Sequence, residues 1–252
     1  MITKYMQRSE RFYVEVPKSD RKNKEETSMQ LVLRIGGSVI ASPINPELIG
    51  EYANLVSTIG EKDHSIIVVV GGGALARDLI GYARRLDLNQ EAQDEIAISA
   101  SRIFAQFLLK KIGFSACTNV SSSIEAAVKC TREGKIAVMG GLKPGMTTDT
   151  VAAKAVEALN ASLLVKATDQ DGIYDKDPKR NKGAVKLDHL RFEDLTRVCT
   201  EEKHYAGIHQ VIDPEAIKIL QRCKTRVVVV NGFEPKNVLW AIEGKNVGTL
   251  VD

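Results

Sequence analysis

The sequence predicts an α/β protein in which a mainly parallel central sheet is covered by helices on both faces, a three-layer αβα sandwich. From Met29 onward, apolar runs of strand length alternate with segments of helical spacing, which is the pattern of βαβ units. Residues 66–70 are five consecutive β-branched residues, too hydrophobic for a strand with one wet face, so they predict a central parallel strand. A chain of 252 residues, 44% of them hydrophobic, is long enough to bury the core of such a sheet.

The N-terminal part of this pattern contains three predicted strands and four predicted helices. Asn45 is a candidate N-cap, because Pro46 follows it in the first turn of a segment with helical spacing. The serines that begin at Ser121 are candidate caps of the fourth helix. In chain order we predict strand 31–35, helix 46–59, strand 66–70, helix 74–86, helix 91–112, helix 121–132 and strand 136–139.

The C-terminal part alternates in the same way around one long polar loop. Gly, Asp and Lys residues are concentrated in this loop, which follows an apolar strand. In chain order we predict helix 148–159, strand 163–167, loop 168–183, helix 192–198, a further segment 213–222, strand 227–230, helix 235–242 and strand 249–251.

Residues 1–28 differ from the rest of the chain. A single apolar patch at residues 12–16 is followed by Pro17 and by a polar run that ends at Ser28. We interpret this segment as a flexible N-terminal extension to one domain at residues 29–252. A docking arm for a partner is the alternative that the sequence leaves open.

The charge distribution argues against nucleic acid as a partner. The chain has 35 Lys and Arg residues against 32 Asp and Glu, a formal net charge of +3. Seven of the basic and five of the acidic residues lie in the extension, so the predicted domain is close to neutral. A nucleic-acid-binding domain is expected to carry a basic excess on its folded part.

Cysteine usage and hydropathy favour a soluble, cytoplasmic protein. The four cysteines form no C-x-x-C pair, which argues against a zinc site or a redox dithiol and favours free thiols in a reducing cytosol. No apolar run approaches the roughly 20 residues of a membrane span, and no secretory segment follows Met1.

Glycine clusters follow three of the predicted strands, at residues 36–37, 71–73 and 140–145. Ligands of open parallel sheets bind at the carboxyl ends of the strands, where glycine lets backbone N–H groups approach an anion. The next helix directs its positive end to the same point. One glycine pair is more often an ordinary tight turn, but three clusters at one sheet edge indicate several anionic groups, most simply two phosphate-bearing molecules.

Two common nucleotide-binding motifs do not occur in the sequence. It contains no G-x-x-x-x-G-K-[ST], which excludes a P-loop kinase. The triple glycine does not extend to G-x-G-x-x-G, because Ala76 occupies the last position, and no acidic residue ends the next strand. A dinucleotide-dependent oxidoreductase is therefore a poor fit.

Five stretches, taken in order, resemble the amino acid kinase superfamily and most closely its archaeal-type UMP kinase branch. The resemblance extends over about residues 29–252, and its most specific part is a G-x-x-P-G-x-T-T-D loop together with a D-G-x-Y-x-x-D-P loop. The stretches are IGGSV at 35–39, VGGGALAR at 70–77, MGGLKPGMTTD at 139–149, ATDQDGIYDKDP at 167–178 and VIDPEAIK at 211–218.

This resemblance implies the amino acid kinase fold and the transfer of the γ-phosphoryl group of ATP to UMP, giving UDP and ADP for pyrimidine nucleotide synthesis. It implies Mg²⁺ as cofactor and an in-line transfer without a phosphoenzyme. It also implies a UMP-binding half at about residues 29–160, an ATP-binding half at about residues 161–252, and a homohexamer. The long predicted helix 91–112 is a candidate interface element.

On the donor side, the resemblance implies that Gly37 and Ser38 donate to the phosphates of ATP and that Tyr174 lies against adenine. It places Arg77, Lys218 and Asp169 at the transferred phosphoryl group as catalytic residues, where cations neutralise charge. The implied ATP-binding residues are Gly37, Ser38, Gly73, Arg77, Thr168, Asp169, Tyr174 and Asp177.

On the acceptor side, the resemblance implies that Asp94 accepts hydrogen bonds from the nucleoside and that a loop at residues 142–148 wraps UMP. The hydroxyl groups of Thr147 and Thr148 would hold the phosphate and can cap the next helix as well. No residue is assigned as a metal ligand. The implied UMP-binding residues are Gly72, Asp94, Leu142, Lys143, Pro144, Gly145, Met146, Thr147 and Thr148.

Three residues depart from the pattern of the superfamily. Arg34 stands where many members carry Lys, which keeps the charge but changes its shape. Asp169 stands where Asn is frequent, so its carboxylate is a candidate for holding Mg²⁺. Ala97 replaces a frequent Gly and is expected to narrow the nucleoside pocket. Lys143 and Lys166 add cations near the predicted phosphates.

Two other functions remain open at this stage. One is a kinase for another small phosphate, such as isopentenyl phosphate. The other is a storage protein, because molybdenum storage proteins resemble UMP kinases and bind ATP. Scattered histidines do not favour a metal-nucleating surface; they are His64, His189, His204 and His209.

Overall fold

The computed structural model of the chain describes residues 28–195 and 211–252. The predicted extension, apart from Ser28, lies outside these residues. So do the end of the predicted helix 192–198 and two of the histidines, His204 and His209.

The sheet confirms the predicted fold class. Its central strand β1 (Gln30–Ile35) lies between β2 (Ser65–Val70) and β4 (Leu163–Thr168), and both neighbours run parallel to it. The last residue of β1 is level with the last residue of β2 and with Ala167 of β4, so the three strands end at one edge. Strand β3 (Ala137–Met139) lies outside β2, and β4 is followed by β8 (Arg226–Asn231), the antiparallel β9 (Thr249–Val251) and β7 (His189–Leu190).

Helices cover both faces of this sheet. The helices with defined bounds are α1 (Gly37–Ile40), α2 (Pro46–Gly60), α3 (Gly73–Arg85), α4 (Gln90–Ile112), α5 (Ile124–Arg132), α6 (Thr148–Leu159), α7 (Pro214–Cys223) and α8 (Lys236–Ile242). Successive residues of a strand point to opposite faces. Leu31 and Leu33 therefore pack with α2 and α4 on one face, while Val32 packs with α5, α6 and α7 on the other.

Side-chain caps determine where several helices begin. Asn45 accepts the Leu48 N–H at 3.0 Å, as predicted. The cap of α5 is Ser123, whose hydroxyl accepts the Ala126 N–H at 3.2 Å. Helix α5 therefore begins three residues later than the predicted helix 121–132.

The predicted polar loop 168–183 contains a short strand that was not predicted, because the residues around it are polar. Strand β5 (Ile173–Tyr174) pairs with β6 (Lys186–Leu187) in a small antiparallel hairpin. Ile173 is fully buried, and its N–H donates to Thr249 Oγ1 at 2.8 Å. A single buried residue among charged ones leaves no periodic signal, so the strand became apparent only from its partners.

The cysteine prediction is wrong for one pair. Cys117 and Cys130 form a disulfide, with their Cα atoms 6.2 Å apart, whereas Cys223 is free. The chain that follows α4 runs beside the start of β3, where Ala116 pairs with Ile136, and this brings Cys117 to the buried face of α5. Sequence spacing reveals local pairs only, and this contact is made by the tertiary structure.

Among the helices of residues 28–195 and 211–252, none combines the length and the apolar character of a membrane span.

Candidate active site

The first two glycine loops touch at the carboxyl edge of the sheet. The Gly36 N–H donates to Ala167 O at 2.8 Å, which ties the end of β1 to β4. A Cβ atom on Gly37 would lie 2.0 Å from the backbone nitrogen of Gly73. One on Gly73, whose φ is +61°, would lie 2.3 Å from Gly37 O. Only glycine permits this approach, which places backbone N–H groups of both loops at one point.

The third glycine loop is held against α4. The buried Ser101 hydroxyl accepts the Gly141 N–H at 2.8 Å and donates to Ile98 O at 2.7 Å. A Cβ atom on Gly140 would lie 2.8 Å from Ser101 Oγ, so glycine is required for this packing too. The loop therefore leaves β3 close to α4 and continues to the start of α6.

Two cavities open where these loops meet. The α4 cavity has a volume of about 330 Å³ and is lined by Gly72, Ala76, Asp94, Ala97, Ile98, Ser101, Gly141, Lys143, Gly145, Met146, Thr147 and Thr148. The sheet-edge cavity has a volume of about 460 Å³ and is lined by Arg34, Gly37, Ser38, Gly71, Gly72, Gly73, Arg77, Thr148, Asp149, Lys166, Thr168, Asp169, Gln170, Lys179 and Val211. Gly72 and Thr148 line both, so ligands in the two cavities would be neighbours.

Asp94 holds the outer wall of the α4 cavity in place. Its Oδ2 atom accepts the Gly145 N–H at 2.8 Å, and its Oδ1 atom accepts from Gln90 Nε2 at 2.8 Å. Gly145 has a φ of +74°, which glycine adopts without strain. The carboxylate thus fastens the loop to α4, in addition to any contact it makes with a ligand.

The start of α6 lies between the two cavities. Thr147 caps the helix by accepting the Thr150 N–H at 3.0 Å, and its hydroxyl donates to Asp213 Oδ2 at 2.5 Å. Asp213 is itself the N-cap of α7, where it accepts the Ala216 N–H at 2.9 Å. The positive ends of α6 and α7 are therefore joined by one carboxylate beside the cavities.

Three charged side chains form the floor of the sheet-edge cavity. Arg34 Nε lies 2.7 Å from Asp149 Oδ1, and Lys166 Nζ donates to Asp149 Oδ2. Arg34 Nη2 also donates to Thr148 Oγ1 at 3.0 Å. Because Asp149 joins two cations, the group carries a net charge of +1 that faces the cavity.

Burial and charge act against each other within this group. Burial lowers the pKa of Lys166 from 10.5 to about 8; Asp149 opposes that change and the Arg34 charge adds to it. Burial raises the pKa of Asp149, but the charges and hydrogen bonds of Arg34 and Lys166 outweigh it, so this pKa lies below its ordinary value. Asp149 is therefore ionised at neutral pH and keeps both cations in position.

The rim of the sheet-edge cavity carries a second ion pair. Lys179 Nζ lies 2.7 Å from Asp169 Oδ2, and Thr168 Oγ1 lies 3.3 Å from Asp169 Oδ1. Burial raises the pKa of Asp169, while the hydrogen bond and charge of Lys179 lower it by more, so the pKa is below its usual range. The Lys179 side chain is 66% exposed, unlike the cations of the floor.

Comparison with known proteins shows the family to which this chain belongs. The model of the amino acid kinase family matches residues 29–231 of the chain. The chain belongs to the amino acid kinase family. It is 38% identical to the uridylate kinase of Haloquadratum walsbyi over 222 residues, 88% of this chain and 92% of that protein. It is 38% identical to the uridylate kinase of Methanocaldococcus jannaschii over 226 residues, 89% of this chain and 100% of that protein.

Solved structures confirm the amino acid kinase fold. The crystal structure of uridylate kinase from Archaeoglobus fulgidus matches with a TM-score of 0.79 at 35% identity, over 89% of this chain and 100% of that chain. The structure of UMP kinase from Bacillus anthracis, at 21% identity and a TM-score of 0.75, shares the fold.

The structure of this amino acid kinase brings most of the predicted site residues to the two cavities. Those at the sheet-edge cavity are Gly37, Ser38, Gly73, Arg77, Thr168 and Asp169. Those at the α4 cavity are Asp94, Lys143, Gly145, Met146 and Thr147, and Gly72 and Thr148 lie at both.

Five predicted residues are not among those that line either cavity in the described structure. Lys218 is exposed on α7, and Tyr174 lies on β5. Asp177 organises the turn that contains Lys179, while Leu142 packs partly against the core and Pro144 lies within the loop. Their implied roles stay predictions.

Several lining residues of this amino acid kinase were missing from the predicted site or had no role there, among them Asp149, Lys166 and Lys179. Asp149 follows the predicted Thr147 and Thr148 in the sequence, but only the tertiary structure shows that it joins two cations. Lys166 had a visible signal, because it is a lysine in the middle of an apolar strand. Lys179 gave no signal, since basic residues are common in polar loops.

Proposed function

We propose that this amino acid kinase is a UMP kinase, which transfers the γ-phosphoryl group of ATP to UMP and yields ADP and UDP. The observation that carries this proposal is the pair of cavities that meet at Gly72 and Thr148, beside glycine N–H groups and cations. Two phosphate-bearing substrates bound there would face each other in line. The names of relatives that are about 38% identical over most of the chain support UMP as the acceptor.

UMP is proposed to occupy the α4 cavity. Its phosphate would lie at the start of α6, near the backbone N–H groups of Thr148 and the residues that follow, where the helix dipole favours an anion. Lys143, which is exposed at the cavity, supplies a further positive charge. Ala97 and Ser101 line this cavity from α4, on the side where the nucleoside would lie.

ATP is proposed to occupy the sheet-edge cavity, with its phosphates against Gly37, Ser38 and Gly73. The γ-phosphoryl group would then lie above Arg34 and Lys166, close to the shared wall at Gly72. Phosphoryl transfer depends on position and on charge neutralisation, and these residues provide both. The half-buried Asp149 is already paired with two cations, so we assign it no part as a nucleophile, in keeping with a direct transfer.

Mg²⁺ is proposed to arrive bound to ATP. In the described part of the chain, no group of three or more His, Cys, Asp and Glu side chains is arranged to hold a metal ion. The two carboxylates of the sheet-edge cavity, Asp149 and Asp169, are each paired with a cation. These residues suit an ion held mainly by phosphate oxygens and water, which neutralises phosphate charge.

Profiling of phosphate acceptors tests the proposed function. Purified protein would be assayed with ATP and Mg²⁺ against UMP, CMP and isopentenyl phosphate in a coupled ADP assay. We expect UMP to give the highest kcat/KM. Activity on isopentenyl phosphate alone would contradict the proposal, and abundant molybdenum or tungsten in the purified protein would favour a storage function.

Arg77→Ala is expected to lower kcat/KM for UMP phosphorylation by about 10²-fold, because a charged donor to the phosphates is lost. Arg77 lies on α3, one turn after Gly73, is exposed, and lines the sheet-edge cavity. The fold should be retained, since an exposed helix arginine adds little to the core. Arg85→Ala, on the same helix and away from both cavities, is the matched control. Equal turnover in the two variants would remove Arg77 from the site.

We propose a homohexamer in the cytoplasm, as the family resemblance implies. Helix α4 leaves Ile103 and Phe107, which are one turn apart, 47% and 53% exposed, and the following Phe114 is 98% exposed. Ile103 and Phe107 therefore share an exposed face of α4, and exposed apolar side chains that lie side by side are typical of an interface. A mass measurement in solution tests the assembly.

A further inference from the structure

The ion pair at the rim of the sheet-edge cavity differs from the one at its floor. Lys166 is buried and fixed against Asp149, but Lys179 is 66% exposed and Asp169 28% exposed. An exposed ion pair contributes little to stability and is screened by salt. Breaking the Asp169–Lys179 ion pair therefore costs little free energy, and a stronger anion can replace Asp169 as the partner of Lys179.

The loop between β5 and β6 holds the backbone of Lys179, and the exposed side chain contacts Asp169 through its terminal ammonium group. The Lys179 N–H donates to Asp177 Oδ1 at 2.9 Å, and the Asn181 N–H donates to Asp177 O at 2.9 Å. Beyond this anchored backbone, lysine has a flexible four-carbon stem that ends in a compact charge. Its ammonium group can reach either Asp169 or an anion in the cavity that both residues line.

A triphosphate in this cavity would compete with Asp169 for that ammonium group. A nucleoside triphosphate carries several negative charges, whereas Asp169 carries one, so the phosphates are the stronger partner. We propose that Lys179 is an ATP-binding residue that Asp169 holds until nucleotide enters, and that the competition between Asp169 and the phosphates sets the affinity for ATP. This inference rests on the proposed function only in taking a nucleoside triphosphate as the ligand of the sheet-edge cavity.

The two partners should then have opposite effects on ATP binding. Asp169→Asn frees Lys179 and is expected to tighten ATP by about threefold to fivefold, the range of an exposed ion pair. Lys179→Met is expected to weaken ATP by about tenfold, and Lys179→Arg should restore most of the affinity. In a variant that already carries Lys179→Met, adding Asp169→Asn should not increase the affinity for ATP.

The measurement is the Kd of ATP by titration calorimetry on the full chain, in Mg²⁺ and in excess EDTA, at one fixed ionic strength. Lys182→Met removes the same charge from an exposed position in the same loop, away from both cavities, and should change the Kd by less than about twofold. The unfolding midpoint of every variant should stay near that of the parent, and the KM for ATP should follow the Kd while the KM for UMP does not.

Two results would contradict the proposal that Asp169 and the phosphates of ATP compete for Lys179. If Asp169→Asn weakens ATP in Mg²⁺ but not in EDTA, Asp169 is a metal ligand and not a competitor. If Lys179→Met binds ATP as Lys182→Met does, Lys179 does not reach the phosphates. Binding of ATP is measured without UMP, so this test remains valid even if the protein does not phosphorylate UMP. If the parent chain binds no ATP, that result contradicts the proposed function itself.

Discussion

Lys166→Met is expected to lower kcat for UMP phosphorylation by about 10²–10³-fold, the cost of losing one preorganised charge at the reacting group. Lys166 lies on the floor of the sheet-edge cavity, buried and aimed by Asp149, so its position needs no reorganisation during transfer. The Kd of ATP should change far less than kcat, because the glycine N–H groups and the other cations remain. A fall in ATP affinity that accounts for the whole loss would contradict this role.

The pH dependence gives an independent test of Lys166. Because its pKa lies at about 8, the ammonium form is present below that value and is lost as pH rises through it. We expect kcat/KM for ATP, which reports the pKa values of the free protein, to decrease above about pH 8 in the parent, and the methionine variant to show no such step. Between about 8 and the ordinary value of 10.5, the unfolded chain binds more protons than the folded one, so Lys166 makes the unfolding free energy rise with pH there. If the decrease above about pH 8 is unchanged in Lys166→Met, the titrating group is not Lys166.

Gly37→Ala is expected to abolish most of the activity and to destabilise the fold. The added Cβ atom would lie 2.0 Å from the nitrogen and 2.5 Å from the Cα atom of Gly73, and neither backbone atom can turn away. The two glycine loops must separate, and a displacement of about 1 Å can cost 10²-fold in rate. Overpacking of this kind lowers the unfolding free energy by about 1–3 kcal/mol, which thermal unfolding would detect.

Gly81→Ala is the matched control for that substitution. Gly81 lies inside α3, and an added Cβ atom would meet no atom within 4 Å. Alanine should raise the unfolding free energy by about 0.5–1 kcal/mol, because it restricts the unfolded chain and favours the helix. Normal activity in Gly37→Ala would show that the loops can separate without harm, and the two-loop contact would then have no role in phosphate binding.

Much of the fold was predictable because it depends on local patterns. Residues 66–70 predicted the buried β2, and the apolar runs at 31–35 and 163–167 predicted its parallel partners. Helix starts were equally visible where a cap precedes proline, as at Asn45. The hairpin of β5 and β6 was not predictable from local patterns, because Ile173 is its only fully buried residue and its partners are distant in the chain.

The site was predictable to the extent that it is made of motifs. The glycine clusters and the loop at 142–148 were visible, because glycine and threonine at helix starts have a recognisable chemistry for phosphate. The charge network was not, because Arg34, Asp149 and Lys166 come from three separate segments that meet only in the folded sheet. The Cys117–Cys130 pair escaped prediction for the same reason.

Hydrophobic periodicity and glycine spacing are local properties, and they predicted the class of fold and a phosphate-bearing ligand, while the resemblance of five motifs predicted the family. Which charges act together depends on how the strands and helices pack. The tertiary structure showed that Lys166 rather than Lys218 lies at the cavity, and that Asp169 is paired with Lys179. Electrostatic interactions depend on distance and burial, and both are set by how strands and helices pack, so spacing along the chain does not contain them.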